Sequence, residues 1–214
     1  MGNIVKLTKM SLNNLTAGVK SLGFLLVVWA VVSIVSPSFL SILFGMAGYL
    51  LINQIMAYED MNGIDNLITT IPVKRSEYVM SRYVLGILIA LVVIIVLTLI
   101  YFITNILNKV EIPLEMLMLI SLISSVFSIS LIIPVSLKFG AKNGKMIMFL
   151  LLMIIMYIPM GIMQFVSSDD KFVIEVISAI DKIGLPIILV LSSTIFLAVS
   201  MIVSLKIYNA KEIK

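Results

Sequence analysis

The sequence predicts an all-α membrane protein with six transmembrane helices, an N-terminal interfacial amphipathic helix and a short cytosolic helix between spans 2 and 3. Hydrophobic residues make up 61% of the chain and charged residues only 12%, whereas soluble domains are about a quarter charged. The mean hydropathy is +1.21. A span needs about 20 apolar residues, so the 214 residues suffice for one bundle and leave no room for a second folded domain.

Long runs without Asp, Glu, Lys or Arg locate the spans. The run that begins at Ser21 is too long for one span, and Pro37 divides it into a hairpin because proline cannot continue a helix. The predicted spans are Ser21–Ser36, Ser38–Ala57, Tyr83–Leu107, Met116–Leu137, Met146–Val166 and Ile183–Leu205. The other segments are the interfacial helix 1–20, the cytosolic connections 58–82 and 138–145, an external stretch at 167–184 and the tail 206–214.

Basic residues predict the direction of the spans. Of the 15 Lys and Arg residues, only Lys109, Lys171 and Lys182 fall on one side of the predicted topology, and the other twelve fall on the opposite side. Short loops rich in Lys and Arg stay in the cytosol. We therefore expect both termini in the cytosol. Topology accounts for the net charge of +4, so nucleic acid is not an expected partner.

The first 20 residues have the periodicity of an amphipathic helix. Lys6, Lys9 and Lys20 lie on one side and would reach anionic headgroups if the helix lay along the inner leaflet. The alternative is a basic tail that serves only topology. The opposite sector, about 100° wide, contains Ile4, Val5, Leu12, Leu15 and Val19.

The segment Tyr58–Arg82 is the most polar part of an otherwise apolar chain. It contains a predicted two-turn helix, with Asn62 as its N-cap and Pro72 at its end. From Val73 the chain is predicted to continue as one helix to Leu107, about 50 Å at 1.5 Å per residue, which would protrude into the cytosol. A short helix between two long ones suits docking into another protein. Its apolar face, spaced i, i+3, i+4, i+7, consists of Ile64, Leu67, Ile68 and Ile71.

This segment and a second loop carry a family resemblance. The residues NGIDNLITTIPVKRSEYVMSRYV resemble the loop between the second and third spans of ABC-2 type permeases, the six-span membrane subunits of type V ABC exporters. The loop IPVSLKFGAKNGK (Ile133–Lys145) is similar to a pattern of a small bacterial branch, in which a Pro-containing helix end leads to Lys-Phe-Gly and then Gly-Lys or Gly-Arg. The resemblance covers the whole topology, but this chain has no sizeable extracellular domain.

The resemblance implies a role, partners and a location. Segment 58–82 would carry a coupling helix that sits on a separate ABC nucleotide-binding subunit, which would hold ATP and Mg. A second permease copy or a paralogue would form the other half of the pathway, in the bacterial cytoplasmic membrane. Similar permeases export peptide toxins and antimicrobial peptides. The coupling role is carried over to Glu59, Asp60, Asn62, Ile64, Asp65, Leu67, Ile68, Ile71, Lys74, Arg75 and Glu77.

The stretch Gly140–Met146 (GAKNGKM) does not fit a phosphate-binding loop. Its glycines are separated by three residues instead of four, methionine replaces the Ser or Thr that would hold magnesium, and no strand is predicted before it. We expect a Gly-containing helix C-terminus with inner-face lysines. Because Cys and His are absent, we expect no cofactor or metal on this chain.

Two stripes of mild polarity occur in the later spans. The fourth span carries a hydroxyl stripe, which either lines a pathway or packs against other helices. The fifth carries methionines at helical spacing, which either adapt to apolar cargo or fill gaps. No ionisable residue lies deep in a predicted span, which disfavours an ion-coupled transporter. The stripes are Ser121, Ser124, Ser125 and Ser128, and Met153, Met156, Met160 and Met163.

These observations favour a permease subunit of an ATP-driven exporter, moving an amphipathic or apolar cargo, above all a peptide. An intramembrane protease or lipid-modifying enzyme would need His, Cys, paired carboxylates or a lysine at membrane depth, and the predicted spans contain none of these. A different alternative stays open: a non-transporting scaffold or immunity protein that recruits a cytosolic partner through the same loop.

Overall fold

A computed structural model of the chain describes residues 2–64, 68, 70, 73–110, 112–144, 146–154, 157 and 185–210. All regular structure in these ranges is helical, which confirms the predicted all-α class. We label the helices α1 (Gly2–Val35), α2 (Phe39–Met61), α3 (Arg75–Leu107), α4 (Leu114–Asn143), α5 (146–154) and α6 (Leu185–Ala210).

Four helices are long and apolar enough to cross a membrane, so the protein is a multi-pass membrane protein. They correspond to the second, third, fourth and sixth predicted spans. In the first predicted span the apolar helical part is the shorter Leu26–Val35, and most of the fifth lies outside the described residues. Six spans therefore stay a prediction. The four membrane-crossing segments are Phe39–Met61, Arg75–Leu107, Leu114–Gly140 and Leu191–Ala210.

Helix α1 differs from the prediction. The interfacial helix expected over 1–20 and the span expected from Ser21 form one helix of 34 residues, about 51 Å long at 1.5 Å per residue. No proline occurs between Gly2 and Val35, so nothing in the backbone removes a hydrogen bond from the helix. An apolar span and the amphipathic segment before it can therefore share one helix axis.

The first turns of α1 pack against the bundle through a mixed face. Leu7, Thr8 and Ser11 are buried, whereas Val5 is 66% exposed and Leu12 is 38% exposed. Val5 and Leu12 belong to the apolar sector of the predicted interfacial helix. Both side chains are exposed, so this sector does not form the face that packs against the bundle. The sequence did not indicate the buried face, because two of its three members are small polar residues.

The predicted hairpin at Pro37 is confirmed. Helix α1 ends at Val35, and the Phe39 N–H donates to the Ser36 carbonyl at 3.0 Å. At the same end of the bundle, Nδ2 of Asn108 donates to the Ile34 carbonyl at 2.5 Å. We call this the distal end. It joins the end of α1 to the end of α3.

Helix α4 contains Pro134, but its backbone departs from helical geometry at Gly140, with φ 71° and ψ 167°. The kink of α4 therefore lies six residues after its proline, at a residue without a Cβ. This part of the φ/ψ map is essentially restricted to glycine. The expected Gly-containing helix end is confirmed at this position.

Small residues bring the central helices close together. A Cβ added to Gly48 of α2 would lie 2.8 Å from Oγ of Ser125 in α4, and one added to Gly86 of α3 would lie 3.0 Å from Cγ1 of Ile129 in α4. Such approaches are typical of packing between membrane helices. Helix α4 is therefore in close contact with both α2 and α3.

Large apolar side chains face outward from several helices. Val31 of α1 is 54% exposed, Ile95 of α3 is 61% exposed and Ile195 of α6 is 63% exposed. In a bilayer this surface meets lipid chains as apolar as itself. Among the described residues, the end of the bundle opposite the distal end is formed by 2–14, 57–64, 68, 70, 73–83, 136–144 and 204–210, and we call it the basal end.

Candidate functional site

The α2–α3 connection (residues 62–74) lies at the basal end and leaves α2 through a left-handed turn. Asn62 is the C-cap of α2: its backbone N–H and its Nδ2 donate to the Tyr58 carbonyl at 3.1 Å and 2.6 Å. Gly63 follows with a φ of 64°, a conformation that commonly ends helices. The prediction of Asn62 as an N-cap is wrong, because Asn62 is the C-cap of α2 and its side-chain amide donates a second hydrogen bond to the Tyr58 carbonyl.

The connection turns its described isoleucines inward. Ile68 is 3% exposed and belongs to the hydrophobic core, and Ile64 packs against that core. They are therefore not the free docking face that the periodicity predicts, since a short amphipathic helix beside an apolar bundle buries its apolar side against it. Leu67 and Ile71, the other two members of that face, and Asp65 lie outside the described residues.

The start of α3 is capped together with the start of α1. Oε2 of Glu77 accepts a hydrogen bond from the Lys74 backbone N–H at 3.2 Å and another from Nδ2 of Asn3 at 3.1 Å. The carboxylate satisfies an N–H that the helix start leaves free, and it lies at the positive end of the helix dipole. Glu77 was predicted to be one of the polar contacts around the coupling helix. In the structure it joins α1 to α3.

Arg75 joins α3 to α6. One guanidinium nitrogen donates to the Tyr208 carbonyl at 3.3 Å and to the Asn209 carbonyl at 2.9 Å. These carbonyls lie in the last turn of α6, where helical partners are missing and a cation is favoured by the dipole. The exposed Arg75 side chain therefore holds the end of a neighbouring helix.

A buried ion pair lies directly above the connection. Arg82 pairs with Glu59, and the two side chains are 1% and 3% exposed. The guanidinium also donates to Oγ of Ser11 at 2.9 Å and to the Tyr78 hydroxyl at 2.8 Å. Glu59 was predicted to be a surface contact of the coupling segment, but the structure places it inside the bundle, where an ionised carboxylate needs a paired cation.

Arg82 is the residue that sequence reasoning missed, since it entered only the count of basic residues. A signal was available. Glu59 follows the apolar run of α2, and Arg82 immediately precedes the apolar run that begins at Tyr83. In an antiparallel helical hairpin these positions lie at the same level, so opposite charges there can meet.

The second motif loop lies against the first. A Cβ at Gly140 would stand 3.0 Å and 3.1 Å from the two carboxylate oxygens of Asp60. The Lys-Phe-Gly end of α4 and the end of α2 are therefore in direct contact. A cavity of about 20 Å³ next to this contact is large enough for one water molecule. It is lined by Met56, Glu59, Asp60, Tyr78, Ser136 and Leu137.

Part of the connection is left facing outward. Met61 is 84% exposed, and Asn62, Thr70 and Lys74 are also exposed. The last residue of α2 and these described residues of the connection thus present apolar, neutral polar and basic groups to the surroundings. A partner protein that docks here would meet them first.

The hydroxyl stripe of α4 is buried. Ser121, Ser124, Ser125 and Ser128 are each at most 3% exposed, and Ser125 is the residue that meets Gly48. In this arrangement the stripe lies in packing contacts. Of the methionine stripe only Met153 is described, at 41% exposure; Met156, Met160 and Met163 lie outside the residues whose side chains the structure describes.

A protein-family model described as "ABC-2 family transporter protein" matches residues 3–209, which is nearly the whole chain. The chain belongs to the ABC-2 transporter family. The resemblance read from the segments at 58–82 and 133–145 is thereby confirmed at the level of the family. No curated protein and no solved structure matches the chain.

Membership defines the general role of this ABC-2 permease. It is a transmembrane component of an ABC transporter and is not itself catalytic. Permeases of this family normally work with an ABC ATP-binding subunit. The contacts at the basal end therefore belong to a member of a family in which ATP is normally hydrolysed by another chain.

Proposed function

We propose that this ABC-2 permease is the membrane subunit of an ATP-driven exporter, with its basal end facing the cytosol and the ATP-binding subunit. The observation that carries the proposal is the convergence of two motif loops at that end, where Asp60 contacts Gly140. Basic residues gather at the same end, as expected of a cytosolic face. They include Lys6, Lys9, Lys74, Arg75, Lys138 and Lys206, whereas Lys109 lies at the distal end.

The ATP-binding subunit would contact the outward side of the α2–α3 connection. The exposed residues Met61, Asn62, Thr70 and Lys74 form the described part of this surface. The coupling role of Asp65, Leu67 and Ile71, which lie outside the described residues, stays a prediction from the sequence. Ile64 and Ile68 instead attach the connection to the bundle. A displacement of the connection by the ATP-binding subunit would therefore also displace the core residues that these isoleucines contact.

Motion would reach the membrane through the helices on either side of the connection. Helix α2 ends where the connection begins, and α3 starts where it ends. Glu77 adds α1 to this unit and Arg75 adds α6. Rigid-body displacement of such a unit is a common means of converting a local change into alternating access.

The proposed cargo is an amphipathic or apolar molecule, with a peptide as the first candidate. Glu59 and Arg82 are paired with each other at the basal end, so neither places an unpaired charge along the middle of the described helices. A wholly apolar pocket of about 270 Å³ lies between α1, α2 and α3. Apolar walls favour hydrocarbon-rich cargo. A second permease copy or a paralogue would supply the other half of the pathway.

The test is co-purification of the full-length permease from its native membrane, with mass spectrometry to identify an ABC ATP-binding subunit. Lys74→Glu reverses a charge on the proposed surface, and Lys109→Glu makes the same change at the distal end. We expect Lys74→Glu to reduce recovery of the subunit at least tenfold and Lys109→Glu to leave it unchanged. Equal recovery with both variants, or no ATP-binding subunit with the wild type, would contradict the proposal.

Transport is tested separately with inverted vesicles that contain the co-purified complex. The probe is a fluorescent amphipathic helical peptide, and we expect it to accumulate in the vesicles only with ATP and Mg. Binding of the ATP-binding subunit without ATP-dependent accumulation of this or other apolar probes would instead favour the scaffold function.

A further inference from the structure

Arg82 contacts groups from several helices at once. Its guanidinium pairs with Glu59 of α2, donates to Oγ of Ser11 in α1 at 2.9 Å and donates to the hydroxyl of Tyr78 in α3 at 2.8 Å. The Tyr78 ring lies 5.1 Å from the ring of Tyr208 in α6, measured between ring centres. We call Ser11, Glu59, Tyr78, Arg82 and Tyr208 the Arg82 cluster.

The cluster is fully enclosed. Ser11, Tyr78 and Tyr208 are 2%, 4% and 0% exposed, and Arg82 is 1% exposed. Taking an ion pair out of water carries a penalty that its own attraction often fails to offset, and apolar residues of similar volume pack at least as stably. General stability therefore does not explain why a guanidinium occupies this position. A specific arrangement of the surrounding helices is the better-attested use of such a pair.

The position of the pair relative to the connection suggests what that arrangement serves. Glu59 lies three residues before the C-cap Asn62, and Arg82 lies seven residues after the start of α3 at Arg75. Any displacement of residues 62–74 acts on both helices just below the pair. The pair therefore lies where the motion of the connection enters the bundle.

Guanidinium geometry matters here as much as charge. One terminal nitrogen of Arg82 serves both Glu59 and Ser11, and the other serves Tyr78, while the guanidinium carbon lies 4.4 Å from the centre of the Tyr78 ring. A lysine ammonium is a point charge without this planar fork. It could keep the pair with Glu59 but could not hold all three neighbours in the same way.

We propose that Arg82 is a positioning residue that fixes the basal ends of α1, α2, α3 and α6 as one body. The role in transport rests on the proposed function, because the ATP-binding subunit would supply the displacement. We call this fixing of the basal helix ends by Arg82 the clamp, and it is a property of this chain alone. Without it, α2 and α3 would still follow the connection, whereas α1 and α6 would lose their link through Arg82 and keep the surface hydrogen bonds of Glu77 and Arg75.

Distances between spin labels test the clamp directly, because the chain contains no cysteine and introduced cysteines are the sole labelling sites. The exposed residues Lys9 of α1 and Lys206 of α6 give a basal label pair. Val35 and Leu107, 72% and 64% exposed, give a distal pair as the control. The full chain is measured in lipid vesicles without nucleotide.

The informative variant is the double substitution Glu59→Leu with Arg82→Met, which replaces both charges by apolar groups. We expect its melting temperature to equal or exceed that of the wild type, while its basal distance distribution becomes at least twice as wide and the distal one stays unchanged. A basal distribution as narrow as that of the wild type would overturn the proposal, since apolar packing would then suffice.

Arg82→Lys separates charge from geometry. We expect it to broaden the basal distribution to an intermediate width, and a wild-type width would show that the fork is not needed and overturn the positioning role. If the wild type binds no ATP-binding subunit, the proposed function fails, yet these nucleotide-free distances still decide the clamp. If the subunit binds and the distances in the double variant are unchanged, the clamp alone fails.

Discussion

Gly140 of α4 lies directly against Asp60 of α2. A Cβ at Gly140 would stand 3.0 Å and 3.1 Å from the two carboxylate oxygens, and the φ of this glycine is 71°. The end of α2 and the Lys-Phe-Gly segment are thus one structural unit at the basal end, although they belong to different loops of the sequence.

Gly140→Ala should destabilise the permease by about 1–3 kcal/mol, because a side chain must adopt backbone angles that are essentially restricted to glycine and must also displace Asp60. The measurement is the apparent melting temperature of the purified chain in lipid. Gly2→Ala is the control, since a Cβ there has no neighbour within 4 Å. Equal melting temperatures for the two variants would rule out the described contact.

Gly48→Ala should destabilise the contact between α2 and α4, since its Cβ would lie 2.8 Å from Oγ of Ser125. We expect a loss of about 1–3 kcal/mol, as for other overpacked sites. Adding Ser125→Ala should recover most of this loss, because the remaining contact with Cβ of Ser125 is an ordinary 3.6 Å. A double variant no more stable than Gly48→Ala would show that the helices meet elsewhere.

Ile68→Asp and Met61→Asp should separate folding from docking. Ile68 is 3% exposed and Met61 is 84% exposed, so the first substitution buries an unpaired carboxylate and the second does not. We expect Ile68→Asp to abolish recovery of folded permease from the membrane. Met61→Asp should fold normally and lose the ATP-binding subunit.

Size-exclusion chromatography of the two variants, followed by detection of the subunit, provides the measurement. If Ile68→Asp yielded folded protein that failed only to bind the subunit, Ile68 would belong to the docking surface after all, and the inward placement of the connection would be wrong.

The sequence was sufficient for the helices whose boundaries depend on local chemistry. Charge-free runs predicted α2, α3 and α4, and Pro37 predicted the hairpin that ends α1. These predictions agree with the structure because the length of an apolar run and the effect of a proline depend only on the segment itself. The continuity of α1 was not predictable in the same way, since hydropathy changes near Ser21 but no residue there forces the helix to break.

The candidate site was harder to predict because it depends on contacts between distant segments. Periodicity defined an apolar face through Ile64 and Ile68, but it could not tell whether that face meets a partner or the chain's own core. Glu59 and Arg82 border apolar runs of the sequence, yet their pairing requires the packed hairpin of α2 and α3. Tertiary packing decides both outcomes.

The central claim is that an ATP-binding subunit docks on the outward side of the α2–α3 connection. The most direct measurement is photocrosslinking of single-cysteine variants in the native membrane, with a maleimide–benzophenone reagent at Thr70→Cys, and at Ile106→Cys near the distal end, where Ile106 is 82% exposed. We expect an adduct with the ATP-binding subunit at Thr70→Cys and none at Ile106→Cys. No adduct at Thr70→Cys, or equal adducts at both positions, would contradict the claim.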